Sequence, residues 1–453
     1  MEYGNIYMLG IGGIGMSAIA RYFHSKGLNV SGYDRTPSDI TASLQSEGIA
    51  VHFEERPEMI PGDNKSTLAI YTPAIPESNR ELEYLKEKGF RLLKRSKVLG
   101  EIAKGKKTIA VAGTHGKTTT STMIGHIFQS SGTGCDAFLG GISKNYGSNL
   151  LLSDSGIVVA EADEFDRSFL QLFPDTAIIT SVDADHLDVY HDYNHVMEAF
   201  CEFAAQTERY LILKEGLPID DKSTKAKIYR YSYDTPSDFY ASGTSVLPGG
   251  YFKFDLNHPG GTVKDCIMGV PGRLNAENGI AAAAAALLNG IDGEKVKKAL
   301  GSFLGVKRRM DIRLNTEKCS YIDDYAHHPK EIEAAIKSIR DIFPGRRITA
   351  VFQPHLYTRT RDFAEGFASS LSKADRLILL DIYPARELPI EGVTSRLIFD
   401  RASIQSKILI RRDELMQCLE KEDIDVLVTF GAGDIDRFTG QITDMLKGRI
   451  GKC

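Results

Sequence analysis

Gly113-Thr114-His115-Gly116-Lys117-Thr118-Thr119-Thr120 follows the apolar run Thr108 to Ala112 and decides how the rest of the chain is read. Strand, glycine turn and Lys-Thr-Thr at a helix start form the arrangement that cradles phosphates. The loop resembles GxxxxGK[ST] but is two residues shorter between its glycines. The chemistry survives the shortening. Successive backbone N–H groups form an anion nest, the Lys117 ammonium reaches the β- and γ-phosphates, and the Thr118 hydroxyl ligates Mg²⁺. Gly113, Thr114, His115, Gly116, Lys117, Thr118 and Thr119 are therefore the expected ATP-phosphate contacts.

Two strand-like runs further on end in metal-suited residues. Ile157 to Ala160 leads into Glu161-Ala162-Asp163-Glu164, and Ala177 to Thr180 leads into Asp183-Ala184-Asp185-His186. In a parallel sheet, groups just past the strand C-termini gather at one edge. Carboxylate and imidazole placed there suit a magnesium ion held against ATP phosphates.

Working towards the N-terminus, Asn5 to Leu9 reads as another strand. Gly10-Ile11-Gly12-Gly13-Ile14-Gly15 follows it and opens a helix-like stretch from Met16, which is the context that gives GxGxxG its weight. A second strand, Leu28 to Tyr33, ends in Asp34, where an acid accepts a ribose hydroxyl. NAD binding is the obvious reading. Yet the second phosphate loop begins only about 100 residues into the chain, which is short for a full dinucleotide fold. A mononucleotide or sugar nucleotide fits better.

Towards the C-terminus, Pro329 suits a first helical turn, and Ile332, Ile336, Ile339 and Phe343 form one apolar face, so a helix is expected over 328–343. Arg347 to Phe352, Arg376 to Ile382 and Asp425 to Phe430 read as strands. Ser237 to Lys264, rich in Gly, Pro and Ser, reads as hairpins or loops. This alternation of short apolar runs with helical patterns is the mark of α/β folds with parallel sheets.

The 453 residues suggest about three domains. Lys+Arg is 55 and Asp+Glu is 60, a formal net charge of −5 that argues against a general nucleic-acid or anionic-membrane binder. Six cysteines, Cys135, Cys201, Cys266, Cys319, Cys418 and Cys453, stand singly, which predicts reduced thiols and neither a zinc ribbon nor a redox pair. The opening residues lack a signal-peptide pattern, and the longest apolar run, Ile280 to Leu288, is about half of a membrane span. A cytoplasmic protein without stable membrane association is expected, as a monomer or homodimer.

Together these segments resemble the Mur ligase family of bacterial cell-wall synthesis. The resemblance rests on GIGGIGMSAIA at 10–20, GTHGKTTT at 113–120, EADEFDRSFL at 161–170, DADHLD at 183–188, GVKRRMD at 305–311, DDYAHHP at 323–329 and FQPHLYTRTRD at 352–362. It covers essentially the whole chain and is strongest with the member that adds the first amino acid.

The resemblance implies three α/β domains: a Rossmann-like UDP-sugar domain (1–98), a central P-loop ATPase domain with a mostly parallel sheet (99–307), and a Rossmann-like C-terminal domain presenting the amino acid (308–453). It implies joining of L-alanine to UDP-N-acetylmuramate with ATP and Mg²⁺, Mn²⁺ being a possible substitute. Residue by residue it implies that Thr118, Glu161 and His186 ligate the metal, Asn278 contacts adenine, and Asp324 contacts ribose. It places Arg309 near the transferred phosphate and Tyr325, His327 and Arg359 around L-alanine. Gly10, Gly12, Gly13, Gly15, Asp34 and Thr72 line the UDP pocket. Lys117, Arg309, His327 and Arg359 are the expected catalytic set.

Three positions depart from the family pattern. Leu274 stands where histidine is usual, Ala326 where glycine is usual, and Leu356 where some members carry arginine. The nearest alternative is a sister enzyme attaching a recycled tripeptide to the same UDP-sugar, whose first loop is less glycine-rich. Folylpolyglutamate synthase shares a related central domain but lacks a block like residues 1–95. An NAD-dependent oxidoreductase explains GxGxxG and Asp34 but leaves GKTTT without a role. An ATP-driven switch predicts hydrolysis indifferent to the UDP-sugar and alanine.

Overall fold

A computed structural model describes residues 3–183, 190, 192–219, 224–385 and 387–450. Three sheets organise them. The first contains β1 (Asn5–Leu9), β2 (Asn29–Tyr33), β3 (Ala50–His52), β4 (Thr67–Tyr71) and β5 (Arg91–Lys94), in the order β3-β2-β1-β4-β5. All its pairings are parallel. The order reverses between β1 and β4, the switch point where α/β sheets open a ligand crevice. Helices α1 (Ile14–Ser25), α2 (Asp39–Ser46), α3 (Arg80–Glu87) and α4 (Arg95–Ala103) accompany this sheet.

The second sheet comprises β6 (Lys107–Ala112), β7 (Asp136–Phe138), β8 (Leu150–Leu151), β9 (Ile157–Glu161), β10 (Thr176–Ile179), β11 (Tyr210–Lys214), β12 (Lys227–Ser232), β13 (Phe239–Leu247), β14 (Tyr251–His258) and β15 (Gly261–Ile267). Its order is β15-β14-β13-β12-β11-β10-β6-β9-β7-β8. The heart of it is parallel, from β7 through β9, β6, β10 and β11 to β12. The antiparallel β14–β15 pair realises the hairpin reading of Ser237 to Lys264. Helix α5 (Lys117–Ser130) leaves the phosphate loop. In the Arg273–Leu288 helix the alanine run 281–286 is fully buried, so it is core packing.

The third sheet contains β16 (Asp311–Asn315), β17 (Ser320–Asp324), β18 (Ile348–Phe352), β19 (Arg376–Leu379), β20 (Lys407–Leu409) and β21 (Val426–Phe430), ordered β16-β17-β21-β18-β19-β20. Only the edge strand β16 runs antiparallel. The expected helix is Pro329–Ile342, capped by His328 and Glu331. Its Ile332, Ile336 and Ile339 are buried, each worth roughly 1.5–3 kcal/mol of apolar burial.

Two compact units result. One holds the first two sheets, apart from the tip of the β13–β14 hairpin. The other holds the third sheet with residues 246–252 and 270–275.

Candidate functional sites

In the first unit, the GxGxxG loop is shaped by side chains from three elements. A Cβ on Gly10, whose φ is +82°, would lie 2.7 Å from the Thr72 methyl beyond β4. One on Gly12 would lie 2.8 Å from Asp34 Oδ2 beyond β2, and one on Gly15 would lie 2.5 Å from Arg95 Nη1 at the start of α4. Gly13 is not crowded in this way; it caps α1 and donates its N–H to the Gly10 carbonyl (3.1 Å). Thr72 and Asp34 thus sit against the loop as expected. Asp34 braces it: Oδ2 accepts from Gly12 N–H (2.8 Å) and Oδ1 from Thr36 N–H (3.1 Å).

The second loop is held by hydroxyls from the end of β10 and the residues after it. Gly113 has φ +134°, and a Cβ there would lie 2.2 Å from Thr180 Oγ1. His115 N–H donates to Ser181 Oγ (2.8 Å), Thr114 N–H donates to the Ser181 carbonyl (3.2 Å), and the Thr114 and Ser181 hydroxyls meet at 2.9 Å. His115 Nε2 lies 3.2 Å from Asp183 Oδ2. Gly116 opens α5 with φ +82°, and Asn278 Oδ1 would be 2.9 Å from a Cβ there. The proposed adenine contact therefore lies beside the phosphate loop. Thr118 and Thr119 form the first turn of α5, and Thr118 is buried.

The Lys117 ammonium donates to the Gly113 carbonyl (2.6 Å) and pairs with Glu164 (2.8 Å). Burial works against its charge, but Glu164, Asp163 and Glu161 outweigh that and hold it above the usual lysine range. Tyr190 fixes the backbone here by donating to the Glu164 carbonyl (2.5 Å).

Glu161, at the end of β9, has a buried Oε2 with no hydrogen-bond partner among the described residues. Gly140 makes room for it, since a Cβ there would lie 2.1 Å away. A buried, orphaned carboxylate oxygen is costly, and a hard cation relieves that cost. Glu161 and the Thr118 hydroxyl are oxygen donors of the class Mg²⁺ takes. The third expected ligand, His186, lies outside the described residues.

In the second unit, Asp324 ends β17. Its buried carboxylate accepts N–H bonds from Met310 and Ala326, each 2.7 Å. Burial outweighs these donors and pushes its pKa up to about 6. Arg309 lies 4.9 Å over the Tyr325 ring, and Arg308 approaches the same ring at 5.0 Å. Arg308 also holds Asp436 (3.0 Å) and the Gly431 carbonyl (2.5 Å).

His327 Nδ1 lies 3.1 Å from the Tyr325 carbonyl, which can only accept. The proton therefore sits on Nδ1, and Nε2 offers its lone pair. Burial, with Arg359 and Arg309 nearby, depresses this imidazole to about 4 against the raising effect of Glu331. Glu331 Oε2 accepts the His327 and His328 N–H groups (3.0 and 3.2 Å). Tyr325, His327, Arg309 and Arg359 thus share one neighbourhood.

The departures have separate fates. Ala326 is in the apolar core of the third sheet, which accommodates its methyl. Leu274 is 43% exposed. Leu356 precedes the Tyr357–Leu371 helix with φ +69°, a conformation that costs a leucine on the order of 1–3 kcal/mol. Sequence reasoning assigned no role to Arg95, Arg308 or Glu331, and took Asp163 and Glu164 only as metal-suited acids beside Glu161. Glu331 was detectable as the acid three residues past a helix cap, whereas the Arg95 contact depends on tertiary placement alone.

Three family models match in order: the Mur ligase family catalytic domain at 5–107, the Mur ligase middle domain at 111–286, and the Mur ligase glutamate ligase domain at 308–433. The chain is 49% identical over 451 residues to UDP-N-acetylmuramate–L-alanine ligase of Phocaeicola vulgatus, covering 98% of each. It is 49% identical to the protein of the same description from Porphyromonas gingivalis, over 98% of this chain and 99% of that one. Among solved structures, UDP-N-acetylmuramate-alanine ligase of Thermotoga maritima aligns with TM-score 0.84 at 25% identity, over 98% of this chain and 99% of that one. A murein peptide ligase of Psychrobacter arcticus shares the fold with TM-score 0.72 at 23% identity, over 98% of each.

Proposed function

The chain belongs to the Mur ligase family, and from that premise we propose that it joins L-alanine to the carboxylate of UDP-N-acetylmuramate as ATP is cleaved to ADP and phosphate. The observation that carries this reading is the 49% identity to alanine-adding ligases over 98% of both chains.

A carboxylate resists amines because its charge repels them and oxide is a poor leaving group. In the first step a carboxylate oxygen of the sugar acid forms a bond to the γ-phosphorus while the bond to the β-phosphate oxygen breaks, leaving an acyl phosphate and ADP. In the second, the alanine ammonium gives a proton to solvent, the free amine attacks the acyl carbon, and phosphate departs from the tetrahedral intermediate as the nitrogen passes its second proton to water or the leaving phosphate.

Lys117 and the 113–119 amides hold the triphosphate and neutralise charge that builds on the transferred group. Arg309 serves the same group, Asp324 accepts a ribose hydroxyl, and Asn278 contacts adenine. Arg359 grips the alanine carboxylate in a fork. Tyr325 walls that pocket, and His327 Nε2 accepts an N–H of the incoming ammonium. With a pKa of about 4, His327 orients the amine rather than storing its proton at neutral pH. Glu161, Thr118 and His186 would hold Mg²⁺, which supplies Lewis-acid neutralisation of the phosphate oxygens. The loop from Gly10 to Gly15, with Asp34 and Thr72, receives the UDP-sugar.

The test is phosphate release with UDP-N-acetylmuramate, ATP and single amino acids. L-Alanine gives turnover and a product heavier by one alanyl residue. Turnover with a tripeptide and none with L-alanine would replace this reading by the recycling ligase. NADH binding without UDP-sugar binding would replace it by an oxidoreductase.

A further inference from the structure

Arg95, at the first position of α4, has no place in the assignments above, and this inference rests on reading the first loop as the sugar-nucleotide site. Its guanidinium lies over the first turn of α1, with Nη1 2.5 Å from where a Gly15 side chain would begin. The third glycine of the motif therefore clears space for an arginine. Among the described residues no side chain caps the α1 N-terminus, and its first turn carries no acidic residue. The leading N–H groups of a helix have no intrahelical acceptor and favour anions. A planar cation and a set of uncapped amides thus converge beside the glycine loop.

Among the described residues, the one carboxylate at ion-pair distance from Arg95 is Asp163, with 3.4 Å between Nη2 and Oδ2. That is a long contact, and Arg95 remains 23% exposed. Asp163 also accepts the Phe165 N–H (3.2 Å) and lies between Ala162 and Glu164, the latter pairing with Lys117. Two residues further, Asp166 pairs with Lys94 (2.9 Å). Asp163 therefore parks an arginine that has a stronger partner to take.

We propose that Arg95 is a substrate-binding residue for the diphosphate of the sugar nucleotide, and that Asp163 is a positioning residue that holds it until that anion arrives. Arginine matches phosphate oxygens with two parallel N–H donors, which a lysine cannot do. The diphosphate is preferred over the sugar carboxylate because the guanidinium lies on the helix start.

Calorimetric titration of the full chain with uridine, UDP and UDP-N-acetylmuramate separates the outcomes. Arg95→Ala weakens UDP and UDP-N-acetylmuramate at least tenfold and leaves uridine within twofold. Arg95→Lys weakens UDP by a smaller factor. Asp163→Asn, which frees the arginine, leaves UDP affinity unchanged or tighter, the opposite sign from a merely structural pair. Unchanged UDP affinity in Arg95→Ala overturns the inference. So does a loss confined to UDP-N-acetylmuramate, which would assign Arg95 to the carboxylate, or an equal loss for uridine. Should Arg95→Ala not fold, full UDP affinity in Arg95→Lys together with weaker UDP binding in Asp163→Asn overturns it. Failure of the unsubstituted protein to bind UDP-N-acetylmuramate is a distinct result that removes the reading of the first loop itself.

Discussion

The Gly10–Gly15 and Gly113–Thr119 loops each join the carboxyl end of a parallel strand to a helix, and each owes glycines to side chains reaching in from other elements. Their electrostatics differ. Lys117 in the second loop is one cation facing Glu161, Asp163 and Glu164. Near the first loop, Arg95 is a cation with a single long carboxylate contact among the described residues, and Asp34 is engaged by backbone N–H groups. A triphosphate entering the second loop meets an excess of negative charge that only an added cation can offset. A diphosphate at the first loop meets a cation already in place. The second loop thus carries the acid excess that the proposed divalent ion would offset, and the first does not.

The largest break of this comparison is Lys117→Ala. Removing the loop's cation leaves three acids against the phosphates, and phosphate release should fall by at least ~10³-fold. UDP-N-acetylmuramate affinity should stay within about twofold, since Lys117 has no part in the first loop. A calorimetric loss of UDP-sugar binding, or retained turnover, would show that the loops are not independent or that the second is misread.

Next in size is the metal itself. Chelation should abolish turnover and weaken ATP binding, while UDP-sugar binding is untouched. Glu161→Gln should cost roughly 10–100-fold in turnover, the range typical of disturbed metal sites, and recover in part at high Mg²⁺. Equal metal dependence at both nucleotide sites would overturn the charge argument.

The glycines give a smaller and sharper contrast. Gly113→Ala pushes a Cβ against Thr180 Oγ1 and the Ser181 backbone at φ +134°, so stability should fall by about 3 kcal/mol or more. Gly15→Ala meets first the side chain of Arg95, a group that can swing aside, and not backbone. Its melting temperature should barely move, while UDP affinity drops because the guanidinium is displaced. Comparable thermal losses in the two variants would remove the distinction between a loop locked by its frame and one cleared for a side chain.

Strands and loops were legible because parallel strands are short apolar runs and because glycine-rich turns have few alternative uses. The helix at 329–342 followed from Pro329 and the isoleucine spacing. What sequence could not yield was pairing across distance. Asp34 was legible as an acid past β2, but its bond from Gly12 N–H was not. Glu164 stood in a quoted motif, but its pairing with Lys117 follows from the parallel pairing of β6 and β9. Arg95 lies next to the expected domain boundary at residue 98, and nothing in its neighbours indicates that it faces Gly15.

The smallest effect concerns the third sheet, where Asp324 tests whether burial has a counterpart to the charge excess around Lys117. Its folded pKa of about 6 exceeds the unfolded value of about 3.9. Between those values the folded chain holds the proton that the unfolded chain has released. Stability from this group therefore falls as pH rises from about 4 to about 6, and is flat above. Asp323, also raised to about 6 by burial, adds a slope of the same sign. Asp324→Asn should remove about half of the combined slope, read as the difference from the unsubstituted protein in denaturant midpoints across that range. With Asp324 in its proposed ribose contact, ATP affinity should move the other way, strengthening as the carboxylate ionises above pH 6, and Asp324→Asn should flatten that rise. An ATP profile that Asp324→Asn leaves unchanged would make Asp324 a backbone anchor for Met310 and Ala326 alone.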